Sequence, residues 1–268
     1  MEQQLLGFLN ATLHTTSNQE RDQAYQAIES LQKQSGYCES LCKISIEQQI
    51  SFDTRHLATI LLRSMIEKNW GFSNQPIQQS RLQKEKTLRR EFQEEDDDGR
   101  VTAESSTRDH EKIMIQEDEK ARLRGCLAQG LHLPEMKMKA QFALMLGVLV
   151  KYDFPHQMPD FLSYLTQQIR EHTTGEAGAA LCLEMIIHPD FLFDDDQMEN
   201  VTKQIMPFVL SVYQNSTEYG ETTRKSMVMI LFSFVNWIVN RRDEREDQQN
   251  GMMPMLQTML PEWLPQLT

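Results

Sequence analysis

An all-α chain, built as a right-handed solenoid of HEAT-type helical hairpins, is what this sequence predicts, and three observations predict it. Apolar residues recur at helical spacing along most of the length. Gly and Pro number only 11 and 9 among 268 residues, few for the many turns of a large sheet protein. The helical segments also fall into consecutive pairs about 40 residues apart, and a hairpin of that size must stack on its neighbours to bury its apolar face.

Taken in order, Leu5 to Leu13 is apolar on one side, and Thr16, Ser17 and Asn18 offer N-cap oxygens to the segment that follows. Arg21 to Gln34 carries Ala24, Ile28 and Leu31 on one stripe and stops at Gly36. Cys38 to Gln48 pairs with Asp53 to Trp70, where Asp53 is placed to cap the first free N–H groups. Glu119 to Leu131 pairs with Glu135 to Tyr152, with Pro134 at the helix start and Pro155 blocking continuation. Gln157 to Glu171 with Gly175 to His188, and Gln197 to Gln214 with Thr222 to Asn240, form two further pairs, and Met252 to Leu267 begins a sixth that has no partner.

This divides the chain into repeats one and two over 1–70, a charged insertion over 71–114, and repeats three to six over 115–268, the last incomplete. The insertion holds the acidic run Glu94 to Asp98 and few large apolar residues beyond Leu82, Leu88 and Phe92, too little to form a core. Arg241 to Asn250 reads as a second charged loop.

Composition narrows the function. The formal net charge of −12, from 39 acidic and 27 basic residues, repels nucleic-acid phosphates and suits a basic protein partner. The N-terminus MEQQLLGFLN has neither the basic nor the long apolar region of a signal peptide, and no apolar run reaches the roughly 18 to 20 residues that span a bilayer. Four scattered cysteines do not make a disulfide scaffold, so free thiols in a reducing compartment are expected, with Cys38 and Cys42 as small buried residues.

No catalytic, cofactor or metal site emerges. Gly125 and Gly130 have the outer spacing of a phosphate-binding loop, but Leu131 and His132 stand where Lys and Ser or Thr are required. GxGxxG, GxSxG and HExxH do not occur, and the histidines stand singly. Most of the methionines, among them Met65, Met138, Met145, Met185 and Met229, fall at core-like positions. A non-enzymatic protein that holds other proteins is the expectation.

The most informative segment is DTRHLATILLRSMIEKNW, Asp53 to Trp70. At about 100° per residue, Leu57, Ala58, Ile60, Leu61, Leu62, Met65 and Ile66 cover most of the circumference. His56, Thr59, Arg63 and Glu67 form one narrow polar strip, and Arg55 lies at its edge. A helix of this kind sits inside a stack with the strip open to a partner.

That segment resembles the N-terminal motif of the importin-beta (karyopherin) family, in which an Arg, an Ala, a Leu-Lys pair and a closing Trp stand where Arg55, Ala58, Leu62-Arg63 and Trp70 stand here. Leu5, Arg21, Ala24, Leu31 and Gly36-Tyr37 fall where that family starts its first repeat, and Asp153-Phe154-Pro155 resembles its Asp-Trp-Pro signature. Arg63 replaces the usual Lys, and Phe154 and Met158 replace tryptophans. The resemblance covers about Leu5 to Leu165 and is greatest to the importin-nine type.

It implies a nuclear transport receptor, without cofactor, that binds the GTP-bound small GTPase Ran through its N-terminal repeats. Such a receptor carries protein cargo into the nucleus, meets nuclear pore proteins, and shuttles between cytoplasm and nucleus. Arg55, Thr59, Arg63, Lys137 and Lys139 are then the candidate Ran contacts, and Ala58, Leu62, Trp70, Asp153 and Pro155 the structural motif residues. A helical-repeat scaffold for a vesicle coat or signalling complex is the alternative.

Overall fold

The computed structural model describes residues 1–71, 114–187 and 195–244, where every regular element is helical. The acidic run at 94–98, the rest of the insertion from 72 to 113, and the sixth-repeat segment 252–267 lie outside the described residues. The chain forms two compact units, Met1–Leu127 and Ala128–Thr268. Of the expected pairs, the first, second, fourth and fifth pack as hairpins, whereas the third is divided between the two units.

In the first unit, α1 (Glu2–His14) packs on α2 (Asn18–Leu31), and α3 (Tyr37–Ile46) packs on α4 (Phe52–Asn69). α1 also touches α3 and α4, and this closes a core of Leu5, Leu9, Ile28, Leu41, Ile44, Leu62 and Ile66. Burial of this kind is worth about 25 cal/mol per Å² of apolar surface and dominates the stability of a unit this size. α5 (Glu117–Gln129), grouped by sequence with the later repeats, begins in this unit.

Local capping departs from the sequence reading in two places. Ser51, not Asp53, caps α4, its Oγ accepting from the Thr54 N–H at 3.4 Å, because the helix begins one residue before Asp53. Gly36 ends nothing, since α2 has already stopped at Leu31; at φ +82° it opens α3 instead, a conformation a side chain rarely adopts. Ser17 does cap α2, accepting from the Glu20 N–H at 3.4 Å.

The second unit starts with a 3-10 turn, Gly130–His132, followed by α6 (Met136–Asp153), α7 (Phe161–Arg170), α8 (Glu176–Ile187), α9 (Asp195–Gln214) and α10 (Glu221–Glu244). α8 is central, packing against α6, α7 and α10. Its small residues allow this, for a side chain at Gly178 would strike the backbone of Leu131. α6 stops at Asp153, ahead of the cis Phe154–Pro155 bond, as Pro155 predicts. Arg241 to Glu244 belongs to α10, not to a loop, because the helix runs one turn past the expected end at Asn240. Met65, Met138 and Met145 are buried as expected, but Met229 is 44% exposed, on an outward stripe of α10 with Val228, Phe232 and Val235.

Candidate functional site

α4 is turned about its axis relative to the sequence reading. Thr54, Arg55, Ala58, Thr59, Leu62, Met65, Ile66 and Asn69 face inward, while Leu57, Ile60 and Leu61 are partly or fully exposed. Two contacts account for this. The Thr54 hydroxyl donates to Asn10 Oδ1 of α1 at 2.8 Å, and the Thr59 hydroxyl donates to the Arg55 carbonyl at 2.8 Å, which satisfies it without water. The small residues Thr54, Ala58 and Thr59 are all fully buried on this inward face.

The expectation of an open polar strip is therefore corrected for two of its members. Arg55 is 4% exposed and Thr59 is fully buried, so neither lies on a surface that a partner reaches. His56, Arg63 and Glu67 do reach the surface, with Arg63 Nε 2.6 Å from Glu67 Oε1 and Phe52 stacked on His56.

Trp70 closes α4, its N–H donating to the Ile66 carbonyl at 3.0 Å, and its ring is fully buried. α5 lays two cations over that ring: Lys120 Nζ at 5.5 Å from the centroid and the Arg124 guanidinium carbon at 5.7 Å. Lys120 is 1% exposed and donates to Glu117 Oε1 at 3.1 Å, so its charge is compensated inside the unit.

The same helix fastens α3. Glu119, 3% exposed, accepts from the Gly36 N–H at 3.0 Å and from the Glu39 N–H at 3.1 Å. α3 has no side-chain cap of its own, so this carboxylate, some eighty residues away, supplies it. One turn on, Arg122 Nε donates to Glu39 Oε2 at 2.7 Å and Arg122 Nη1 donates to Asp118 Oδ2 at 3.1 Å. Hydrogen bonds from Lys43 and then Arg122 hold the Glu39 carboxyl below its ordinary range.

A disulfide joins Cys42 of α3 to Cys126 of α5, which corrects the expectation of four free thiols. Spacing along the chain could not show it, since the two are 84 residues apart. Cys38 and Cys182 remain free and buried, and burial drives both thiols far above the ordinary range.

In the second unit the two lysines on α6 part company. Lys137 is exposed, whereas Lys139 is 8% exposed and donates to the Thr174 carbonyl at 2.7 Å. Burial lowers the Lys139 pKa, only partly offset by Glu176. Lys139 ties α6 to the turn before α8 and is corrected from a surface contact to a structural one. Asp153 is buried at the end of α6. His132 lies between Thr174 Oγ1, 3.1 Å from Nδ1, and Tyr164 Oη, 3.2 Å from Nε2.

Glu176, the first residue of α8, accepts from the Gly220 N–H at 3.2 Å and the Thr223 hydroxyl at 2.7 Å, capping α10 as Glu119 caps α3. Sequence reasoning missed both carboxylates, Lys120 and Arg124. A signal for Glu119 was present: it shares the α5 face of Leu123 and Leu127 at spacings of four, an acidic group on an apolar stripe.

Gly125 lies within α5, and Gly130 abuts the Phe142 ring, so the two glycines form no phosphate loop. Among the described residues no group of His, Cys, Asp or Glu could hold a metal ion, and no helix is long and apolar enough to cross a membrane.

Comparison with known proteins places this geometry. Residues 24–131, which run from Ala24 of α2 through α5, match the family model of the importin-beta N-terminal domain. The chain is 20% identical to Importin-9 of Drosophila melanogaster over 245 residues, covering 90% of this chain and 21% of that protein. It is 18% identical to Importin-8 of Mus musculus over 271 residues, covering 98% and 23%. The chain thus spans about a fifth of the length of these curated relatives.

Among solved structures, one in which Kap95p binding induces the switch loops of RanGDP to adopt the GTP-bound conformation superposes with a TM-score of 0.59 at 11% identity, over 91% of this chain and 24% of that one. The exportin Cse1 in its cargo-free, cytoplasmic state superposes with a TM-score of 0.54 at 11% identity, over 88% and 23%. These two likenesses establish the importin and exportin fold. Residues 24–131 thus match the importin-beta N-terminal domain, and the described helices are similar in fold to importin and exportin chains.

Proposed function

We propose that this chain serves as a nuclear transport receptor, not an enzyme, binding Ran in its GTP-bound form and carrying basic protein cargo into the nucleus. The observation that carries the reading is the importin-beta N-terminal domain at residues 24–131, on a fold shared with a Kap95p chain solved with Ran. The net charge of −12 supports a basic cargo. Contact with nuclear pore proteins and shuttling between cytoplasm and nucleus belong to the same reading. The exportin likeness leaves the direction of transport to experiment, and import is the direction proposed.

Of the five candidate Ran contacts, Arg63 and Lys137 present their charges at the surface, and these two carry the proposal. Arg55, Thr59 and Lys139 are buried and belong to the support of these helices, with Thr59 bonded to the Arg55 carbonyl within α4 and Lys139 seating α6 on the Thr174 carbonyl. The test is a pull-down of the whole chain with Ran loaded with GTP or with GDP. Retention of the GTP form alone supports the reading; equal retention, or none, overturns it, and capture of a coat or signalling component instead favours the scaffold alternative.

A further inference from the structure

The α3–α5 seam is fastened at three levels. Glu119 reaches Gly36 and Glu39, Arg122 reaches Glu39, and Cys126 meets Cys42, so positions 119, 122 and 126 of one helix face 36, 39 and 42 of the other. The first two levels are non-covalent and set the register, which leaves the two cysteines with their Cα atoms 6.5 Å apart, inside the span a disulfide bridges without backbone movement. The two residues differ in exposure: Cys42 is fully buried, whereas Cys126 is partly exposed. Cys38 and Cys182 are free and buried, and neither is joined to Cys126.

We propose that Cys42 and Cys126 form a reversible thiol–disulfide staple, closed by glutathione disulfide and opened by reduced glutathione, that locks α5 and its cation clamp on Trp70 to α3. Closure begins at Cys126, the more exposed residue of the pair. Its thiolate attacks one sulfur of glutathione disulfide, the S–S bond breaks, and one glutathione leaves as thiolate. Cys42 then loses its proton and attacks the Cys126 sulfur of the mixed disulfide, releasing the second glutathione. Two protein thiols are oxidised by two electrons, one glutathione disulfide is reduced to two thiols, and these take the two protons.

With the staple open, Glu119 and Arg122 still hold the seam. With it closed, the loop of 84 residues that includes α4 and Trp70 is tied at its base, so α5 cannot lift away from α3. The clamp of Lys120 and Arg124 on Trp70 lies on the same α5 and is held with it.

The test equilibrates the full 268-residue chain with mixtures of reduced and oxidised glutathione. As the mixture becomes oxidising, the intact mass falls by about 2 Da, a non-reducing peptide map gains one linked peptide containing Cys42 and Cys126, and the thermal midpoint rises by roughly 5–10 °C. Cys126→Ser abolishes all three changes, and Cys182→Ser abolishes none. Alkylation of the native wild-type chain adds a check that needs no variant: Cys126 is labelled in the reduced protein and protected in the oxidised one. Four thiols persisting in excess glutathione disulfide, an unresolved glutathione adduct on Cys126, or a link to Cys38 would each overturn the proposal.

Discussion

Glu119 caps a helix whose N-cap residue, Gly36, lies 83 residues before it: its Oε2 accepts the Gly36 N–H at 3.0 Å, and its Oε1 accepts the Glu39 N–H at 3.1 Å. The left-handed turn at Gly36 leaves α3 with no side-chain cap of its own, and the buried carboxylate fills that place. Glu119→Ala takes the acceptor from two part-buried N–H groups and should cost about 2–3 kcal/mol. Glu119→Gln, which keeps one acceptor oxygen, should cost about half as much. Urea unfolding followed by circular dichroism measures both, and equal midpoints for wild type and Glu119→Ala would show that the cap is idle.

Trp70 is the largest fully buried side chain in the first unit, lying beneath Lys120 and Arg124. Trp70→Ala should destabilise by about 3–5 kcal/mol, mostly through the cavity left behind. Trp70→Phe keeps an aromatic face for the two cations and should cost less than half of that. Thermal midpoints of the two variants rank the effects.

His132 makes stability depend on pH. Burial first, and Lys139 second, hold its imidazole below the ordinary value of 6.5. Between that depressed folded value and 6.5 the unfolded chain binds more protons, so stability rises with pH through this window and falls as the medium is acidified. Above 6.5 the ring is neutral in both states and contributes nothing. Acidification from about pH 7.5 to about pH 5 should therefore lower the urea midpoint of wild type more than that of His132→Gln, which keeps hydrogen-bonding capacity toward Thr174 and Tyr164. Equal losses in the two proteins would rule His132 out as the source.

The three buried and two exposed Ran candidates should separate by assay. Arg63→Glu and Lys137→Glu should each weaken binding of GTP-loaded Ran about tenfold while leaving the thermal midpoint near wild type. Lys139→Ala removes the donor to the Thr174 carbonyl and should cost about 1–3 kcal/mol of stability, with little change in Ran affinity per folded molecule. Calorimetric titration beside thermal melts distinguishes the two patterns.

Gly178 of α8 lies where a Cβ would come within 2.5 Å of the Leu131 carbonyl oxygen and 2.9 Å of its Cα. Backbone cannot give way as a flexible side chain can, so Gly178→Ala should destabilise the second unit by about 1–3 kcal/mol despite its better helix propensity. A gain in stability would mean that α8 and the 3-10 turn are loosely packed.

Much of the fold was legible from the residues themselves. Helix periodicity, the stop at Pro155, the burial of Ala58, Leu62 and Trp70, and the N-terminal family motif are all local patterns, and a local pattern depends only on residues a few positions apart. The helical-hairpin class and the region that matches the importin-beta N-terminal domain are therefore readable from the residues alone. Tertiary structure decided the rest. A wheel shows how wide the apolar face of α4 is, but the Thr54–Asn10 contact sets which way that helix turns, sending Arg55 and Thr59 inward and Ile60 outward. The cap from Glu119 to Gly36 and the bond from Cys42 to Cys126 join residues more than eighty positions apart, and no periodicity within one helix specifies which distant helix will pack against it.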